Sequence, residues 1–321
     1  MLFDLPLAQL REYRPEVPEP ADFDEFWAGE LAAAAAHDAD AELVPVATPI
    51  RSADVFDVTF AGYAGDPVKA WLLVPHDPAP QGALLVEYIG YNGGRGDPLD
   101  WLPFCSTGRP HLVMDTRGQG GGWRSADTAD PSDDGAPSST GFLTRGIASP
   151  RTHYYTRLFI DAARAVAVAR RLPAAADRPI VTTGRSQGGA LAIAAAHLAD
   201  GVAAAMPDVP FLAHPRRALE MTDTRPYREL IDYCSVHSDR VEQVFETLSY
   251  IDVVNHAKRL TVPALFSVGL IDEITPASTI FAAYNHYAGP KDIGVYPFNG
   301  HEGGGTRHLR AQLDFLARHH V

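Results

Sequence analysis

Pro179-Ile180-Val181-Thr182-Thr183-Gly184-Arg185-Ser186-Gln187-Gly188-Gly189-Ala190 decides how the chain is read. A β-branched run ends in Gly-x-Ser-x-Gly and passes directly into the small, helix-forming run Ala190 to Leu198. A strand that turns this sharply into a helix forces the serine into strained backbone angles, and residues without bulk are needed on either side, hence Gly184 and Gly188. In a chain with 27 glycines the five-residue pattern alone means little. The strand before it and the helix after it give it the meaning of a nucleophile elbow.

Working outward, short apolar runs at Ala83 to Ile89, His111 to Met114, Ile180 to Thr183, Val202 to Met206, Ala264 to Gly269 and Ile293 to Tyr296 read as strands buried on both faces. Helical patterns lie between several of them, such as Tyr155, Phe159, Ala162, Val166 and Ala169. Strands alternating with helices predict an α/β fold with a doubly wound, mostly parallel sheet covered by helices on both faces. Ahead of these, Val55 to Val74 alternates around a Gly62 to Gly65 turn and reads as an antiparallel hairpin.

We expect one domain over residues 1–321. Residues 1–50 form an N-terminal extension whose helix opens near Phe23, with Asp22 or Asp24 as N-cap. Residues 211–260 form a helical insertion over the carboxyl edge of the sheet, either a substrate wall or lid or an interface element. The Asp, Pro, Ser and Gly in Asp127 to Ser139 mark a loop.

The formal net charge of −13 disfavours nucleic acid and anionic membranes, which need clustered Lys and Arg. The start, Met1 to Pro6, lacks the basic and apolar regions of a secretory leader, and only two cysteines, Cys105 and Cys234, are present, so a cytoplasmic protein acting on a small molecule is expected. Metal-ligand spacing such as H-E-x-x-H is absent, and we expect no cofactor.

Serine attack requires a base oriented by a carboxylate, in the chain order Ser, acid, His. His301 follows the last strand, in Asn299-Gly300-His301-Glu302-Gly303-Gly304-Gly305, and is the candidate base for Ser186. Asp272, which ends the strand Ala264 to Ile271 one before that of the histidine, is preferred as the acid over Asp208, which ends the strand before that. Glu302 adjoins the base, but neighbouring side chains on an extended backbone point apart, so it is read as a loop anchor. The developing oxyanion needs two donors, assigned to the backbone N–H groups of Gln187 and of Tyr91, the latter in Ile89-Gly90-Tyr91-Asn92-Gly93-Gly94.

Together, Tyr88 to Gly94, Arg117-Gly118-Gln119, Gly184-Arg185-Ser186-Gln187-Gly188 and His301-Glu302 resemble the acetyl xylan esterase and cephalosporin C deacetylase family of the α/β-hydrolase superfamily, whose R-G-Q, G-x-S-Q-G and H-E motifs come in this order. The resemblance implies a triad of Ser186, Asp272 and His301, with Tyr91 and Gln187 at the oxyanion and Arg117 and Gln119 in support. It also implies a cytoplasmic hexamer that deacetylates small acetylated sugars and cephalosporin C. A general carboxylesterase or a peptidase of the same fold is the alternative. A binding module would be expected to have lost a triad member, and a metal-dependent deacetylase would need ligand spacing that is not there.

Overall fold

The computed structural model describes residues 3–80, 82–131 and 140–321; residues 132–139 of the expected polar loop lie outside these. The strands are β1 (Ala41–Pro45), β2 (Ala53–Ala61), β3 (Pro67–Pro75), β4 (Leu84–Tyr88), β5 (His111–Met114), β6 (Ile180–Arg185), β7 (Val202–Asp208), β8 (Ala264–Gly269) and β9 (Lys291–Tyr296). All belong to one sheet in the order β1-β2-β3-β5-β4-β6-β7-β8-β9. β1, β2 and β3 pair antiparallel, as does β3 with β5, and the six strands from β5 to β9 run parallel. This is the doubly wound sheet expected from the six apolar runs. β9 departs from that reading in burial, because it is the sheet edge and only Tyr296 is buried.

Helices α1 (Leu7–Glu12) and α2 (Phe23–Ala35) precede the sheet, α3 (Leu102–Cys105) joins β4 to β5, and α4 (Tyr154–Ala169) and α5 (Gln187–Leu198) flank β6. The insertion carries α6 (Pro215–Met221), α7 (Arg228–Val236), α8 (Val241–Ile251) and α9 (Val253–Ala257); α10 (Ala277–His286) and α11 (Gly305–Arg318) complete the chain. Asp22 occupies the N-cap position of α2 but does not cap it; its carboxylate accepts a 2.5 Å hydrogen bond from the Tyr250 hydroxyl instead. Among the described residues no helix is long and apolar enough to cross a membrane.

Alternation along the strands sorts the core into two layers. Leu84, Val86 and Tyr88 pack with α4, α5 and α2, whereas Ala83, Leu85, Val181, Ala204 and Met206 pack with Phe104 of α3 and Phe315 and Leu316 of α11. α5 can lie directly on the sheet because its first turn has no bulk: a Cβ at Gly188 would stand 2.1 Å from the Tyr88 carbonyl oxygen, and one at Gly189 would stand 2.8 Å from that of Asp208.

Register then fixes the functional edge. Tyr88 pairs with Gly184, which brings the loops after β4 and β6 side by side. The chain leaves β4 for β5 on one side and returns to β6 on the other, so these loops flank the topological switch point where open α/β sheets bind ligands.

Candidate active site

Ser186 is the residue between β6 and α5, with φ 59° and ψ −117°. Such angles are costly for a residue with a Cβ and persist only where the surroundings dictate them. Here the Ser186 N–H donates to the Asp208 carbonyl at 2.9 Å, and its own carbonyl accepts from Phe211 N and Ala190 N, each at 3.0 Å. The serine is 7% exposed, so it forms the floor of a cavity instead of projecting freely from the sheet edge. That cavity, of about 400 Å³, is also lined by Tyr91, Trp123, Ile274 and His301, and by Arg225 and Pro226 of the insertion.

His301 lies in the loop between β9 and α11. Its Nδ1 is 2.9 Å from Asp272 Oδ2, with Asp272 completely buried. Asp272 stands three residues beyond β8 and not at the strand end, in a tight turn that saturates it: Oδ1 accepts from Ile274 N at 2.8 Å and Thr275 N at 3.0 Å, and Oδ2 accepts from Thr275 Oγ1 at 2.8 Å. In the neutral tautomer that donates Nδ1–H to this carboxylate, Nε2 keeps its lone pair. No hydrogen bond joins Ser186 Oγ to His301 among the described residues; both line one cavity, and bonds of this type often close only around substrate.

Asp208 has other partners. Its pairing with Arg185 across β6 and β7 puts its Oδ2 2.8 Å from Arg185 Nε, and its Oδ1 accepts from Ser267 Oγ. Glu302 bonds within its own loop, accepting from Asn299 Nδ2 at 2.8 Å and Gly300 N at 3.0 Å.

The backbone N–H groups of Tyr91 and Gln187 donate to no group among the described residues, on the two loops that the β4–β6 pairing sets together. Around them runs a buried polar network. Gln119 Oε1 accepts from Asn92 N at 2.6 Å, while its Nε2 donates to Tyr154 Oη at 3.0 Å and to Gln187 Oε1 at 2.8 Å. Tyr154 Oη in turn donates to the Arg117 carbonyl at 2.6 Å. The Arg117 guanidinium is buried against Asp161 at 2.5 and 2.9 Å, Asp66 at 3.0 Å and Asp130 at 3.2 Å. Burial alone would favour losing its proton, but the carboxylates, Asp161 foremost, outweigh that and hold its pKa above the usual value. Removing one member of such a cluster is far more damaging than its net contribution suggests, because it strands buried charge.

Sequence reasoning missed Asp161 and Tyr154 of this network, Tyr155, whose hydroxyl donates to Gln187 Oε1 at 2.9 Å, and Glu229, which accepts from Tyr91 Oη. Asp161 had a signal: it is a charged residue within the apolar helical run Leu158-Phe159-Ile160-Asp161-Ala162-Ala163. His153, at the start of the same helix, is buried and neutral, with its pKa pushed down to about 4 by burial. Groups of His, Cys, Asp and Glu able to hold a metal ion do not occur among the described residues.

A model of the acetyl xylan esterase family matches residues 1–319. Among solved structures, the chain is 36% identical to an acetyl xylan esterase from Paenibacillus sp. R4, with TM-score 0.87, covering 98% of this chain and 99% of that one. It is 33% identical to acetyl xylan esterase 1 from Thermoanaerobacterium sp. JW/SL YS485, with TM-score 0.84, covering 97% and 98%. A curated relative, acetyl esterase Axe7A of Xylanibacter ruminicola, is 28% identical over 166 residues; these span 50% of this chain and 36% of that protein.

Proposed function

The chain belongs to the acetyl xylan esterase family, and on that premise we propose that it is a serine esterase that removes acetyl groups from small acetylated carbohydrates such as xylo-oligosaccharides, and from cephalosporin C. The observation that carries the mechanism is the 2.9 Å contact of His301 with buried Asp272 beside a cavity whose floor is the strained Ser186.

Ser186 Oγ attacks the acetyl carbonyl carbon as His301 Nε2 takes its proton, and Asp272 stabilises the imidazolium through Nδ1–H. The carbonyl oxygen becomes an oxyanion and accepts from the N–H groups of Tyr91 and Gln187, which are already fixed and unspent. Collapse expels the sugar oxygen, which receives the proton from His301, and leaves an acetyl-enzyme. Water, deprotonated by His301, then attacks the acetyl carbon; acetate departs and Ser186 regains its proton. Gln119 positions the loop that carries Tyr91, and the Arg117 cluster holds Gln119's surroundings in place.

The proposed assembly is a homo-hexamer in the cytoplasm, both on the family resemblance. Light scattering that gives a single 34.7 kDa chain at micromolar concentration overturns the hexamer. The chemical proposal is tested by rapid quenching with p-nitrophenyl acetate followed by peptide mass analysis: the peptide containing Ser186 should carry one acetyl group. Turnover without acetylation of that peptide refutes the covalent route.

A further inference from the structure

A second cavity, of about 420 Å³, lies on the face of the sheet covered by α3 and α11, below the carboxyl ends of β4, β6 and β7. It shares Gly90, Trp123 and Arg185 with the Ser186 cavity, so the two lie side by side. Its size is within the range of small-molecule sites.

The charges on its wall are paired with one another. Arg185 meets Asp208 at 2.8 Å, Arg124 meets Asp100 at 3.2 Å, and His111 Nε2 lies 2.9 Å from Glu87 Oε2. The last contact is close but badly aligned, so Nε2 of the 1% exposed His111 has no hydrogen-bond partner. A wall with its charges cancelled has little to attract an ion, but unspent hydrogen-bonding capacity remains. Gln312, 6% exposed on α11, and Thr306 in the first turn of that helix make no side-chain hydrogen bond among the described residues. Two indoles, Trp101 and Trp123, flank the Arg124 guanidinium at 4.5 and 4.9 Å and bring apolar faces to the same wall. Carboxamide, hydroxyl, carboxylate and imidazole groups beside indole faces suit a neutral polyol, whose hydroxyls both donate and accept while its C–H faces pack on apolar surface.

We propose that this cavity is a second carbohydrate subsite, holding a neutral sugar unit next to the acetylated unit whose ester lies at Ser186. The proposal rests on the deacetylase reading of the Ser186 cavity. It makes the protein an oligosaccharide deacetylase with a grip on two units, in which small esters use only the first cavity.

The test compares Gln312→Trp, which fills the cavity, and Gln312→Ala, which removes the carboxamide without adding bulk. For acetylated xylotriose, kcat/KM should fall roughly tenfold or more in the filled variant and less in the truncated one, a tenfold loss being about 1.4 kcal/mol. Turnover of p-nitrophenyl acetate should be retained in both variants and serves as the check on folding. Calorimetry with unacetylated xylotriose on Ser186→Ala reads binding without chemistry; adding Gln312→Trp should abolish the heat. Equal losses on both esters, no loss on either, or xylotriose heats indifferent to Gln312→Trp overturn the subsite. A wild-type protein that cleaves neither ester defeats the deacetylase reading instead, while the calorimetric arm still reports on the cavity.

Discussion

Tyr91 Oη donates a 2.6 Å hydrogen bond to Glu229 Oε1, tying the loop after β4 to the first turn of α7 across 138 residues of sequence. Glu229 also accepts from Gly141 N at 3.0 Å and Leu143 N at 3.1 Å, so one buried carboxylate clamps three segments around the proposed oxyanion donor. The helical insertion therefore does more than wall the cavity with Arg225 and Pro226: it sets the position of Tyr91. Glu229→Ala should lower kcat by roughly tenfold, less than the loss expected for deleting an oxyanion donor outright. Stability should fall by about 1–3 kcal/mol, because the backbone donors are left unsatisfied. Glu229→Gln, which keeps an acceptor, should recover much of kcat. Steady-state kinetics and thermal melts of both variants check this; unchanged kcat in a destabilised Glu229→Ala would reduce the clamp to a structural role.

The two acid candidates separate by mutation. Asp272→Asn should lower kcat by about 10⁴ by upsetting the tautomer of His301. Asp208→Asn, whose partners are Arg185 and Ser267, should act mainly on stability. Parallel kcat and melting measurements decide it, and the reverse pattern would move the orienting acid to β7.

Much of this was legible because it is local. The elbow, the six parallel runs and the β2–β3 hairpin announce themselves within a few residues. β1 escaped because Ala41 to Pro45 is a short, largely exposed edge strand that needs no apolar alternation and ends in proline. Asp272 reads as a strand end in sequence, yet it stands in a turn three residues beyond β8. Glu229 escaped for a different reason: nothing near Pro226-Tyr227-Arg228-Glu229 marks a carboxylate whose partners are Tyr91 and the backbone of residues 141–143. Long-range polar clamps have no period, and only the fold brings their halves together.

Stability should carry the signature of Asp252. Burial pushes its carboxyl up to about 7, although it accepts hydrogen bonds from Val254 N and His214 N. In the unfolded chain the same group titrates near 3.9. A folded pKa above the unfolded one means that its contribution is fully present below about pH 4, declines as pH rises and is lost by about pH 7, a swing of about 4 kcal/mol. Asp252→Asn removes that dependence. The difference in melting temperature, variant minus wild type, should therefore grow between about pH 4 and pH 7 and level off above. A difference that shrinks over this interval would show the carboxylate to be favoured by the fold.

Acyl selectivity should be steep. Tyr91, Trp123 and Ile274 line the cavity beside Ser186, and the Trp123 indole is held by a 2.9 Å bond from its Nε1 to the Tyr91 carbonyl. Forcing added methylenes into packed walls costs about 1–3 kcal/mol, roughly a tenfold to hundredfold loss in kcat/KM. The check is kcat/KM across p-nitrophenyl acetate, butyrate and octanoate. A maximum at butyrate or longer would instead make the protein a general carboxylesterase.

Whether Ser186 is the nucleophile is read from kcat/KM for p-nitrophenyl acetate with folded Ser186→Ala. Losing a triad nucleophile costs on the order of 10⁶ in well-studied hydrolases, so turnover should drop to near background while the melting curve stays close to that of the wild type. A folded Ser186→Ala protein that retains near-normal esterase activity would contradict the mechanism outright.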